Sequence, residues 1–216
     1  MLATRSRPVS GPTLRRIGWL LLMVNALGLA LFSARYFSLN PATFLQRQVY
    51  LAHLGPLLLH ISGGVVALAI GPWQFATGLR TRHPTVHRWM GRTYVAAALA
   101  AGVGGLLMAP LTLGGPLAHL GFAVLAVLLL FTTARAFVAI RRRQIATHRA
   151  WMIRSYALVF AAVTFRSWLG GLLATGLPHD QVYAVGAWAS WLINLYVAEL
   201  LIARLDARVR ATTRAT

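Results

Sequence analysis

No cysteine occurs in the chain, which excludes disulfides, zinc–thiolate and iron–sulfur centres, and thiol catalysis. Lysine is absent too: all 21 basic residues are arginine, so no phosphate-cradling glycine loop ending in lysine can exist. Acids are nearly missing, with Asp180, Glu199 and Asp206 the only three. They leave no carboxylate pair for acid–base hydrolysis and no credible Ser-His-Asp set. Charged residues make up 11% of the 216, where a soluble domain carries about 25%. What is present is apolar: 58% hydrophobic residues and a mean hydropathy of +0.65. The net charge of +18 would suit nucleic acid. The arginines, however, lie between long apolar runs that a groove-reading domain has no use for. Charge and hydropathy together predict an all-α polytopic membrane protein, a single membrane domain over 1–216.

Six segments approach the roughly 20 apolar residues that cross a bilayer as helix: about 17–34, 57–78, 89–109, 117–138, 150–169 and 182–203. Residues 204–216 form a tail. The first span is long for a signal peptide, and no clear small-residue cleavage site follows it, so it reads as a retained helix. Segment 41–54 differs. Asn40-Pro41 is a helix-start signal, and Gln46, Arg47 and Gln48 interrupt its apolar face. It reads as a short interfacial helix ending at Gly55-Pro56. Eighteen of the 21 arginines fall at the N-terminus, around the second–third and fourth–fifth connections, and in the tail. The exceptions are Arg35, Arg47 and Arg166. The positive-inside rule then predicts a bacterial inner-membrane protein with both termini cytoplasmic.

The chain repeats itself. RTRHPTVHRWMGRTY at 80–94 and RRRQIATHRAWMIRSY at 141–156 share R-x-R, His-Arg, Trp-Met and a closing Ser/Thr-Tyr, with Ala150 inserted. Upstream, GPLLLHI at 55–61 resembles GPLAHL at 115–120. Repeat unit one, 57–110, thus matches repeat unit two, 116–170. Spans two to five are expected to form a central four-helix bundle with spans one and six outside.

The histidines carry the chemistry that remains. His60 and His119 lie just inside spans two and four on the outer side, and His87 and His148 open spans three and five on the cytoplasmic side. In a bundle, spans two and four are diagonal, as are three and five. One imidazole pair then falls near each membrane face, which is what six-coordinate haem iron requires. Gly63, Gly64 and Gly121 make room for a planar ring, and Arg92, Arg154 and Arg166 are placed for its propionates. Arg166 sits about 27 Å of helix beyond His148, at the outer level. An intramembrane charge is a functional-site hypothesis by default. His53, one heptad before His60, is an alternative ligand. Each residue also has a plainer reading: interfacial histidines as anchors, arginines snorkelling to phosphates, glycines as packing, tryptophans as an interfacial belt.

The strings HISGGVVALAIGPWQF at 60–75, HRAWMIRSYAL at 148–158 and AAVTFR at 161–166 resemble an uncharacterised bacterial family of predicted membrane proteins, over about residues 50–170. That resemblance implies a multi-span helical fold and brings no activity. More distantly, the four-histidine layout looks like the two-haem b cytochromes that carry electrons from ascorbate across membranes. It departs from them in lacking an ascorbate-site motif, and His119 lies outside the stronger motifs.

Three functions compete. The first is a b-type transmembrane electron carrier, its metal ligands His60, His87, His119 and His148. Arg92, Arg154 and Arg166 would then hold propionates or a small anionic reductant. The second is a non-haem protein, a small transporter or a lipid or complex scaffold, with the repeated motif anchoring anionic headgroups. The third is a quinone- or proton-handling site at Arg166, Tyr156 and Glu199.

Overall fold

The computed structural model describes residues 11–40, 42 and 46–214, and among them there is no strand. Helix α1 spans Gly11–Ala34 and tightens into a 3-10 turn over Arg35–Ser38. Then come α2 (Arg47–Ala52), α3 (Leu54–Gln74), α4 (Thr77–Arg82) and α5 (Pro84–Met108). The chain closes with α6 (Gly115–Arg141), α7 (Ile145–Leu173) and α8 (His179–Arg214). Among the described residues six helices are long and apolar enough to cross a membrane: α1, α3, α5, α6, α7 and α8. An even number of crossings returns the chain to its starting face, called here the arginine-rich face.

The expected architecture is observed. α3 packs on α5, α5 on α6 and α6 on α7, while α1 lies on α3 and α8 on α7 and α6. Spans three and five meet directly, through Tyr94 and Tyr156 with ring centroids 6.3 Å apart. The tightest seam is α3 against α5, and small residues make it. A Cβ on Gly63 would run into the Ala97 carbonyl, and one on Gly104 would come within 2.7 Å of the Pro56 carbonyl. Lipid offers helices no hydrophobic drive to associate, so close backbone approach through small residues is what holds such a pair. Gly64, next in sequence, faces open space. Gly121 would meet Trp188 and Ala187 of α8, so it serves helix packing rather than a ring on the His119 side.

The connections obey local rules. Pro84 and Pro116 sit in the first turns of α5 and α6, where a backbone N–H has no helical acceptor. Gly114 has φ +91, and an added Cβ there would also fall 2.7 Å from that of Tyr183. After α6, Arg143 takes φ 58; its N–H donates to the Ile140 carbonyl and that of Gln144 to Ala139. These two bonds make a Schellman motif whose left-handed position is ordinarily glycine.

Two expectations need correction. Among the described residues of the segment expected as an interfacial helix over 41–54, α2 covers Arg47–Ala52, and Pro41, the expected start, lies outside the described residues. Asn40 instead accepts the Ala42 N–H through its side chain. Gly55-Pro56 does not end that helix but opens α3, again because proline is harmless in a first turn. The six-residue α4, inside the second–third connection, was not foreseen.

Two predictions follow from this packing. Gly63→Ala should lower unfolding stability in detergent by about 1–3 kcal/mol, the usual cost of overpacking, while Gly64→Ala should leave it unchanged. Equal effects at the two positions would mean that the seam is not where the helices are held. Arg143→Gly should raise the unfolding temperature, because an L-residue in the left-handed region gives up about 1 kcal/mol. A lowered temperature would show that the arginine side chain contributes more than the strain removes.

Candidate functional site

His87 and His148 come from equivalent places in the two repeat units, at the starts of α5 and α7. Both are half-buried, and each lies within the other's electrostatic reach, with Arg80 also close to His87. The Nδ1–H of His148 donates to the Ala136 carbonyl on α6 at 2.9 Å. A carbonyl can only accept, so the neutral ring keeps its lone pair on Nε2. His87 has no such tether, and its Nδ1 is buried without a hydrogen-bond partner.

Two further buried atoms close by lack partners, Gln74 Nε2 and Tyr156 Oη. Gln74 lies against Gly91, one turn above His87, and the Tyr156 ring lies over Gly71, one turn from Gln74. Deeper in the membrane, Tyr94 and Thr133 each share a hydrogen bond with Ser155 Oγ, at 2.9 and 2.8 Å. Tyr94 and Ser155 each lie seven residues past their helix's histidine, about 10 Å further along. All three hydroxyl residues are fully buried. They tie α5, α6 and α7 together and close the bundle interior above the histidines.

The motif arginines point elsewhere. Arg92 is exposed and stacks on Trp89 of its own helix, 5.0 Å from the ring centroid. Arg154 grips Glu199 of α8 with two bonds, Nε to Oε1 at 2.6 Å and Nη2 to Oε2 at 2.8 Å. Trp151 is flanked by Arg154 and Arg135, at 4.7 and 5.5 Å. The carboxylate expected for Arg154 from a propionate is thus supplied by the chain itself. Arg154–Glu199 is the one ion pair among the described residues.

At the opposite face each of the two histidines is bonded to a backbone carbonyl. The His60 Nδ1–H donates to the Ala101 carbonyl of α5 at 2.9 Å, and the ring rests on Gly105. His119 uses its other nitrogen: Nε2–H donates to the Thr112 carbonyl of the α5–α6 loop at 2.8 Å. The charged neighbour of His60 is Arg166, not His119. His53 donates to Val49 of its own short helix and stays exposed.

Arg166 is exposed although it sits within a span, and its Nη1 donates to its own helix at Ala162. Tyr36, Tyr50, Tyr183 and Arg35 lie within its electrostatic reach. The tyrosines come from the turn after α1, from α2 and from α8. Tyr36 and Tyr50 pack against the cluster of Leu57 and Ile61 of α3 with Met108 of α5, and Tyr183 packs edge-on against Phe165, 5.2 Å between centroids. None of the three was singled out from sequence. They lie far apart along the chain, and an aromatic residue at a span end is ordinarily read as interfacial belt. The grouping of Arg166, Tyr156 and Glu199 is not formed either. Glu199 is held by Arg154, and Arg166 lies twelve residues further along α7, about 18 Å away.

Among the described residues no group of three or more histidine, aspartate or glutamate side chains is placed to hold a metal ion. Neither the curated proteins nor the solved structures contain a match to this chain. A family described as "Predicted membrane protein (DUF2306)" matches residues 57–202, which run from the start of the α3–α5 seam to the Glu199 turn of α8, and the chain belongs to that family.

Proposed function

We propose that this integral membrane protein is a b-type haem protein that handles single electrons at its arginine-rich face, with His87 and His148 as the axial ligands. The observation that carries the reading is the inner pair itself. Two histidines open diagonal helices at equivalent repeat positions, one with Nδ1 tied to a carbonyl so that Nε2 is presented, the other with a buried nitrogen that has no hydrogen-bond partner. A ring N–H held by a backbone carbonyl is the usual support of a metal-ligating histidine. Two protein ligands are too few for a bare ion, whereas a haem brings its own four equatorial nitrogens and needs only two axial ones. When bound, haem supplies one-electron exchange between ferrous and ferric iron. The chain's own residues do the rest. Ala136 orients His148, Gln74 Nε2 and Tyr156 Oη offer polar atoms beside the site, and the Tyr94–Ser155–Thr133 network seals it from above. The exposed Arg92 remains available for a propionate; Arg154 does not. The reading is confined to the inner pair: His60 is tethered through Nδ1 as His148 is, but His119 holds its loop through Nε2 and would offer only Nδ1.

A second reading is favoured by the arginine–tryptophan stacks. Arg92 on Trp89, and Arg135 and Arg154 on Trp151, suit a belt anchored among anionic headgroups, with no cofactor. Absorbance separates the two. Protein expressed with a haem precursor and purified in detergent should show a Soret band that shifts on reduction. His87→Ala and His148→Ala should each abolish it without preventing membrane insertion, and His119→Ala should leave it intact. Colourless wild-type protein would leave the anchor reading standing.

The arginine distribution supports a cytoplasmic location for the arginine-rich face in a bacterial inner membrane. A reporter fused after Thr216 should then be active only in the cytoplasm; periplasmic activity would reverse the orientation.

A further inference from the structure

Three polar atoms near the arginine-rich face, one each from α3, α5 and α7, are buried without a hydrogen-bond partner: Gln74 Nε2, His87 Nδ1 and Tyr156 Oη. Gln74 is 8% exposed and Tyr156 3%, so bulk water does not answer them. A buried donor or acceptor left unmade forfeits its full hydration, and three in one place call for a physical reason.

Contacts bring the three side chains to one level of the bundle. α3 and α7 touch, and the Tyr156 ring lies on Gly71, where a Cβ would collide with it. The same ring meets Phe75 edge-on, with centroids 5.5 Å apart. Gly71 and Phe75 bracket Gln74 on α3. A helical side chain leans toward the N-terminus of its helix. Because α7 starts at the arginine-rich face, the Tyr156 hydroxyl is carried from the level of Gly71 toward that of Gln74. On α5 a side chain at position 91 would lean back over His87 for the same reason, but Gly91 has none. The Gln74 amide enters that space instead: a Cβ on Gly91 would stand 3.3 Å from Gln74 Oε1. Deeper in, the bonds joining Tyr94, Ser155 and Thr133 close the interior.

We propose that one buried water molecule is held at this junction, bonded to Gln74 Nε2, His87 Nδ1 and Tyr156 Oη. The amide nitrogen can only donate, whereas the imidazole nitrogen and the phenol can donate or accept. The guest must therefore accept one bond and give or take two more. An amide N–H has no lone pair for a metal ion, so a cation does not meet that demand. Water donates two bonds and accepts two, and three is the number a buried water ordinarily makes. With His87 Nδ1 held by the water, Nε2 is the nitrogen left free, as on His148, where Ala136 holds Nδ1. The water thus orients the histidine of repeat unit one as a backbone carbonyl orients that of repeat unit two. It does so whether or not haem binds, and its test reads folding rather than absorbance.

Equilibrium unfolding of the full chain in detergent, with Gln74→Met and Tyr156→Phe made singly and together, tests the site. Each substitution keeps the shape of the side chain and removes its polar atom. Tyr156→Phe should lower the folding constant about fivefold, the net worth of one hydrogen bond. Were the oxygen unanswered, its removal would raise the constant instead. Because the two residues share one water, the double variant should lose less than the product of the single losses, by about threefold or more. Thr164→Val, whose hydroxyl bonds Asn194 directly at 3.0 Å, should combine with Gln74→Met without such coupling. A stabilised or unchanged Tyr156→Phe overturns the proposal, as does an additive Gln74–Tyr156 pair. With chloride replaced by sulfate at matched ionic strength the coupling should persist; coupling that needs chloride identifies a bound anion and overturns the water. Should Gln74→Met not fold, the sign of the Tyr156→Phe effect decides.

Discussion

The close approach of α3 and α5 is the constraint on which the rest of the bundle depends. Gly63 and Gly104 let the two backbones come together at Ala97 and Pro56, closer than any side chain would permit. That contact brings the Ala101 carbonyl within reach of His60, whose ring then lies against Gly105. It also fixes α5 so that Tyr94 faces Ser155 of α7 and, through it, Thr133 of α6. In a bilayer the unfolded alternative for each hydroxyl is another partner within the membrane, so such bonds add little net stability, roughly 0.6 kcal/mol on average. Their larger effect is to specify which helices meet and in what register.

The two repeat units use the same residues for different ends. Tyr94 enters the hydroxyl network, while its counterpart Tyr156 covers Gly71 and leaves its oxygen unpartnered. Ser155 is the hub of that network, while Thr93 merely bonds back to Trp89 of its own helix. His148 is oriented by a carbonyl and His87 is not. The two hairpins differ in what packs on them, α1 on the first and α8 on the second. Glu199 of α8 reaches Arg154, whereas Arg92 has only its own tryptophan.

The fold was legible because its signal is coarse. Twenty apolar residues between arginine clusters mark a span whatever its partners are, and each of the six predicted segments lies largely within one long helix. The ends were less legible. Helices continue past the apolar stretch where the backbone has no reason to stop, as α5 does back to Pro84 and α8 on to Arg214. Of the two six-residue helices, Arg47–Ala52 lies within the short helix expected over 41–54, whereas Thr77–Arg82 was beyond reach, being too short to carry a periodicity. At the site, periodicity put His87 and His148 at one level of the bundle. It could not say that His60 and His119 would each be satisfied by a backbone carbonyl, because carbonyls leave no trace in a sequence. The three tyrosines within electrostatic reach of Arg166 were invisible for a related reason: they come from α1's end, α2 and α8, far apart along the chain.

The two intramembrane arginines of α7 show how burial and partner decide a charge's role. Arg154 has the one acid of its neighbourhood, held by two short bonds and stacked on Trp151, so its charge is neutralised within the protein and its geometry is fixed. Such a pair locks α7 to α8 and has little left to offer a ligand. Arg166 is the reverse. Its neighbours are phenols and a second arginine, groups that supply donors or positive charge but no negative charge. The chain spends one of its three acids on the first arginine and none on the second, although α8 runs past both. Asp180 stands in the first turn of α8, three residues before Tyr183, yet the ion pair of the described residues is Arg154–Glu199 and not one to Arg166. An acid in the same helix is therefore not enough: the pair forms where α8 packs its carboxylate directly against the arginine, as it does at Glu199.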